Sequence, residues 1–200
     1  MASTPTMTSD VVHPILRQSD VGPEVARLQA RLVEYGYWVG DQDGTFGDVT
    51  YHAVMAFQKA EGLPRDGVAG PETLEALAVS GRLSLRTTGG DALEVDLQRQ
   101  LVLVVRGGRV QWALDTSTGK PATPTPPGRF RVERGVDGVD HGPLGTLYRP
   151  AYFNGGIAFH GYPQVPPDAA SHGCVRVTDA AMDMLWSTGA TNVGTAVWVY

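Results

Sequence analysis

The chain changes its hydrophobic rhythm once. Up to about residue 80 the apolar side chains recur at helical spacing, and from about residue 91 they alternate at every second position. In the first part, Val25, Leu28, Leu32 and Tyr35 mark one face of a helix that starts near Pro23 and stops at Gly36. A second helix is predicted over Asp48–Glu61, with Ala53, Val54 and Phe57 inward and Gly62 as its terminator. A third opens at Pro71, carries Leu74, Leu77 and Ala78, and ends before Gly81. The loops before the second and third helices echo each other: Asp43-Gly44-Thr45-Phe46-Gly47 returns 23 positions later as Asp66-Gly67-Val68-Ala69-Gly70. Each Asp-Gly predicts a tight turn into the helix that follows. Residues 15–80 thus read as a small three-helix bundle.

Residues 81–90 read as a linker, centred on Thr87-Thr88-Gly89-Gly90, and strand signals dominate residues 91–200. Leu93, Val95 and Leu97 alternate with Glu94, Asp96 and Gln98, as in a strand with one wet face. Leu101–Val105 is a continuous apolar run. Val110, Trp112 and Leu114 alternate after Gly107-Gly108, which predicts a hairpin with a two-residue turn. Phe130 with Val132, Ile157 with Phe159, and Ala196–Tyr200 read as further strands. Thr178 is placed to cap a helix whose inner face holds Met182, Leu185 and Trp186. The expected fold class is α+β in two domains, a helical bundle and then a mainly β, sandwich-like domain.

Composition narrows the partners. The net charge is −5 and the Lys and Arg residues are scattered, which argues against nucleic acid and anionic membrane faces. No apolar run reaches the roughly 18–20 residues of a bilayer span, so no transmembrane segment is expected. Met1–Asp10 is Ser/Thr-rich, with neither the basic nor the apolar region of an export signal. With one cysteine in the chain, Cys174 cannot form an internal disulfide.

Three groups able to do chemistry cluster near the C-terminus: His160, His172 and Cys174. A cysteine reacts as thiolate, of which a free thiol holds only a few per cent at pH 7, so a neighbouring imidazole is needed to take the proton. His160 ends a predicted strand fourteen positions before Cys174, whereas Ser171-His172-Gly173-Cys174 reads as a tight turn. Spacing alone leaves the choice between the two histidines open. A zinc site of two His and one Cys lacks a further Cys pair, and Asp41, Asp43 and Asp48 lack the spacing and closing Glu of a calcium loop. No metal or other cofactor is expected. His141, in the Gly-rich stretch 135–145, reads as a loop residue.

His160-Gly161 followed by Ser171-His172-Gly173-Cys174-Val175-Arg176 closely resembles the signature of the L,D-transpeptidase (YkuD-type) catalytic domain. The resemblance extends through Gln100–Val104, Thr116–Lys120, Thr123–Phe130 and Tyr152–Phe159, so it covers roughly 91–200. The first part resembles the three-helix peptidoglycan-binding domain, through Leu28-Gln29, Gly36-Tyr37, Asp43–Gly47, Phe57-Gln58, Asp66-Gly67 and Gly70–Thr73.

The resemblance implies that Cys174 is the nucleophile, that His160 is the general base, and that the Gly161 carbonyl orients its ring. It also implies that the peptide N–H groups of Gly173 and Cys174 contribute to an oxyanion hole and that His172 supports the turn or the developing charge. Arg176 either holds a substrate carboxylate or braces the loop. A tyrosine of the oxyanion site would be Tyr148 or Tyr152, and Ser171 belongs with these on the substrate side. The implied reaction cleaves a stem tetrapeptide after its third residue, forms a thioester, and passes the acyl group to an amine as a 3→3 cross-link, or to water. The implied partners are peptidoglycan stem peptides and glycan, met by a monomer outside the cytoplasmic membrane. The competing reading is a non-catalytic wall-binding protein whose β domain is inert, although such a protein has no use for a paired His160 and Cys174.

Overall fold

Helical periodicity in the first part becomes three helices, α1 (Pro23–Glu34), α2 (Asp48–Glu61) and α3 (Pro71–Val79). The computed structural model describes residues 14–86, 89–142 and 145–200; Met1–Asp10 and the Thr87-Thr88 part of the expected linker lie outside it. The terminators behave differently. Gly62 closes α2 in the left-handed conformation, while α3 ends at Ser80, whose hydroxyl donates to the Ala76 carbonyl, one residue before the expected Gly81. No described helix is long and apolar enough to cross a membrane.

The second part forms two facing sheets. The strands are β1 (Ala92–Asp96), β2 (Leu101–Arg106), β3 (Arg109–Asp115), β4 (Gly128–Arg131), β5 (Arg134–Gly135), β6 (Val139–Gly142), β7 (Gly145–Asn154), β8 (Ile157–Gly161), β9 (Val175–Val177) and β10 (Ala196–Val199), with α4 at Asp179–Ser187. The first sheet runs β3-β2-β1-β10-β4 and the second β5-β7-β8-β9, with β6 also on β7. Side chains from both sheets and α4, including Leu93, Val102, Phe153, Phe159, Val175, Met182 and Val197, share one core. The expected hairpin is present, with Arg106 opposite Arg109 around Gly107-Gly108. Thr178 caps α4, its hydroxyl accepting from the Ala181 N–H at 3.1 Å.

The helices do not stand apart from the sandwich. Leu101, Leu103, Val110 and Ala113, on the outer face of the first sheet, belong to the same core as Leu28, Leu32, Tyr37 and Phe57. This explains the unbroken Leu101–Val105 run: β2 is buried on both faces, and a strand covered on both sides loses its polar alternation. The wet face expected for β1 is likewise covered. Glu94 is fully buried, its carboxylate accepting from the Arg86 N–H and the Tyr200 hydroxyl. The strand also stops at Asp96, so Leu97 lies beyond it. His141 is in β6 opposite Thr146 rather than in a loop, because β6 folds back on β7.

Candidate active site

The site is built where two strands run parallel. β8 and β9 pair Phe159 with Val175, His160 with Arg176 and Gly161 with Val177. Phe159, Val175 and Val177 point into the sandwich core. Alternation therefore turns Ala158, His160, Cys174 and Arg176 to the opposite face. Sequence spacing could not choose between the histidines. The register puts His160 on the face of Cys174, whereas His172 is exposed, its Nε2 3.3 Å from Lys120 Nζ.

His160 is 2% exposed, and its Nδ1 lies 2.8 Å from the Gly161 carbonyl oxygen. A carbonyl can only accept, so Nδ1 carries the proton and Nε2 keeps a lone pair. Burial pushes the imidazole pKa below its ordinary value; the Gly161 carbonyl opposes this and the Arg176 charge adds to it. The carbonyl reaches the ring because position 161 is glycine. A Cβ there would lie 2.4 Å from Asp179 Oδ1 and 2.6 Å from Tyr148 Cδ1.

The Cys174 sulfur lies 3.8 Å from the Gly156 carbonyl oxygen. Burial raises its pKa, against smaller pulls downward from the Ala158 backbone and Arg176. Both shifts favour the uncharged forms, thiol for Cys174 and imidazole for His160.

The turn before Cys174 is held by one hydroxyl. Ser171 Oγ accepts from the Gly173 N–H at 3.0 Å and donates to the Cys174 carbonyl at 2.6 Å. Thr125 Oγ1 donates to the Gly173 carbonyl at 2.7 Å. Gly173 has φ +119°, a conformation closed to ordinary L side chains. Its N–H is already engaged by Ser171, so it reaches an oxyanion only by exchanging that bond.

Arg176 stacks on Tyr162, its guanidinium carbon 4.2 Å from the ring centroid, and its Nε is buried without a hydrogen-bond partner among the described residues. Tyr162 also meets the His160 ring edge-on at 6.1 Å. Sequence reasoning missed Tyr162, although its place two residues after His160 was a usable signal. It also missed Asp179, whose Oδ1 is buried and unpartnered against Gly161 and whose pKa is raised by burial and then by Asp183. The two tyrosines expected near the oxyanion are held by carboxylates. The Tyr148 hydroxyl donates to Asp183 at 2.9 Å, and that of Tyr152 donates to Asp140 at 2.7 Å.

Residues 90–199 match the L,D-transpeptidase catalytic domain family and residues 21–77 match the peptidoglycan binding domain family. The chain belongs to the L,D-transpeptidase family. A crystal structure of an L,D-transpeptidase from Xylanimonas cellulosilytica is similar over 99% of this chain and 100% of that one, at 40% identity and TM-score 0.89. A second, from Stackebrandtia nassauensis, is 25% identical with TM-score 0.55, over 99% of this chain and 97% of that one. Among curated proteins, the N-acetylmuramoyl-L-alanine amidase CwlM of Mycobacterium tuberculosis is 38% identical over 121 residues, which is 60% of this chain and 25% of that protein. A spore cortex-lytic enzyme of Bacillus cereus is 41% identical over 65 residues, 32% of this chain and 25% of that protein. The chain thus spans about a quarter of the length of these curated relatives.

Proposed function

We propose that this chain is a cysteine-dependent L,D-transpeptidase that forms 3→3 cross-links between peptidoglycan stem peptides. The observation that carries the reading is the His160 Nδ1–Gly161 carbonyl bond, which leaves a basic Nε2 on the face shared with Cys174. Nε2 takes the thiol proton as Sγ attacks the carbonyl carbon of the third stem residue. The resulting oxyanion collapses, the bond to the terminal D-alanine breaks, and the leaving amine takes the proton from His160. This leaves a thioester on Cys174.

An amine from a second stem then attacks the thioester and gives its proton to Nε2. Collapse breaks the C–S bond and returns that proton to the sulfur. The Cys174 N–H supplies charge stabilisation at the oxyanion, His172 lies at the exposed end of the turn, and Gly173 shapes it. On the substrate side, Arg176 has an unpartnered Nε suited to a stem carboxylate. Ser171 supports that side through the turn it holds, and Tyr152 and Tyr148 are assigned to the substrate side with it. The helical layer holds the wall polymer, and the protein works outside the cytoplasmic membrane as a monomer.

Incubation with disaccharide-tetrapeptide followed by mass spectrometry tests this. Cross-linked dimers and a carbapenem adduct on Cys174 are expected, and Cys174→Ala abolishes both while leaving binding to insoluble wall intact. Tripeptide without dimers makes the protein a carboxypeptidase. A folded chain that turns over nothing and takes no adduct is a wall-binding protein.

A further inference from the structure

Two cations of the helical layer reach the catalytic turn through separate contacts. The Lys59 side chain, on α2, is fully buried, with Nζ 2.5 Å from Asp115 Oδ1 and 2.8 Å from the Thr116 carbonyl oxygen. His52, two turns earlier on the same face of α2, places Nδ1 2.6 Å from Asp115 Oδ2. Asp115 ends β3, and the five residues after it run beside the turn that carries Cys174. The Thr116 hydroxyl donates to the Arg176 carbonyl at 2.6 Å, and Ser117 exchanges both backbone bonds with Arg176 at 3.0–3.1 Å. The Ser171 N–H donates to Thr118, and the Lys120 N–H donates to Ser171. Cys174 is thereby bracketed, at 171 and at 176, by one segment whose start is fixed from α2.

The second contact comes from Arg65, just after α2. Its Nη1 donates to Asp168 Oδ1 at 2.8 Å and to the Pro167 carbonyl at 3.2 Å. These residues lie in the loop between His160 and Ser171. Ser117 Oγ donates to the Asp168 carbonyl at 2.6 Å and accepts from the Ala170 N–H at 3.2 Å, so both contacts converge on Ser117, the backbone partner of Arg176.

We propose that Lys59 and Arg65 are positioning residues for the nucleophile: the wall-binding layer fixes the register of residues 116–120, and that segment fixes Cys174 against His160. This rests on Cys174 being the nucleophile. Buried ion pairs add little net stability over apolar residues of the same volume, so the buried Lys59–Asp115 pair is better explained by the geometry it imposes. Displacements of about 1 Å at a reacting centre cost on the order of a hundredfold in rate. The helical layer is therefore part of the catalytic unit as well as an anchor.

The test compares full-length wild type, Lys59→Met, Arg65→Ala and Arg65→Lys. It reads the limiting rate and half-saturation of carbapenem acylation, iodoacetamide alkylation of Cys174, and retention on insoluble wall. In Lys59→Met and Arg65→Ala the limiting rate is expected to fall about tenfold or more, with half-saturation and wall retention within about twofold, a difference near the scatter of single-site effects. Arg65→Lys restores most of the rate. Arg65 is partly exposed and its ion pair is on the surface, so Arg65→Ala is expected to fold and decides the matter if Lys59→Met does not. Acylation at the wild-type rate in folded Arg65→Ala overturns the proposal, as does a uniform loss that Arg65→Lys does not restore. A wild type that takes no carbapenem sinks the nucleophile reading instead; positioning is then still read from alkylation, where unchanged Cys174 rates across the variants overturn it.

Discussion

Gln29 and Gln58 do the same work in two successive turns of the helical layer. The Gln29 amide donates to Asp43, the Thr45 carbonyl and Thr50, and its oxygen accepts from the Gly44 N–H. Gln58 donates to Asp66, the Val68 carbonyl and Thr73, and accepts from the Asp66 and Gly67 N–H groups. The 23-residue loop echo is thus one hydrogen-bonded cage built twice. It also explains Asp43, whose pKa is lowered by the Thr45 N–H and then by the Gln29 amide.

Removing a cage centre strands several buried groups together. Gln58→Ala is expected to destabilise the chain by about 2–4 kcal/mol, because orphaned buried donors and acceptors cost their full desolvation. Urea unfolding measures it. A loss below about 0.5 kcal/mol, the range of ordinary surface changes, would show that water replaces the amide at no cost.

The pH dependence follows from the directions of two shifts. The base must be neutral, and burial lowers the His160 pKa below 6.5, so turnover rises with pH at a midpoint below 6.5 and is flat at neutral pH. The thiol pKa is raised above 9.0, so iodoacetamide alkylation without substrate should still be rising with pH at 9.0 and level off only beyond it. Full alkylation at pH 5 would mean a resting thiolate–imidazolium pair and contradict the neutral assignment.

Arg176 lowers both pKa values through its charge. Arg176→Gln is therefore expected to move the acid limb of turnover upward and the thiol titration further above 9.0. Profiles that coincide with wild type would place the guanidinium charge too far from the pair to matter.

Ser171→Ala removes the hydroxyl that ties the Gly173 N–H to the Cys174 carbonyl. The expected result is a drop in single-turnover acylation of about ten- to a hundredfold, with a small change in unfolding midpoint. An unaltered rate would mean that Thr125 and the Ser117–Arg176 bonds hold the turn unaided.

Much of the fold was legible locally. Pro23 and Pro71 opened helices, Gly62 closed one, Thr178 capped α4, and Gly107-Gly108 turned a hairpin, because each of these depends on neighbours a few residues away. β5, β6 and β9 were not read. They are two to four residues long, and β5 and β9 form only by pairing with strands some fifteen or more positions away.

The site divided in the same way. By itself the sequence determined that its single cysteine has two histidines within fourteen positions and that the helices carry a doubled turn motif, since residue type and short spacing fix both. Only the tertiary structure decided which histidine shares the Cys174 face, that Tyr162 meets that ring edge-on, that Asp179 lies against Gly161, and that Lys59 reaches Asp115. Those relations depend on strand register and on a buried layer contact, and they join residues whose separation along the chain says nothing of their separation in space.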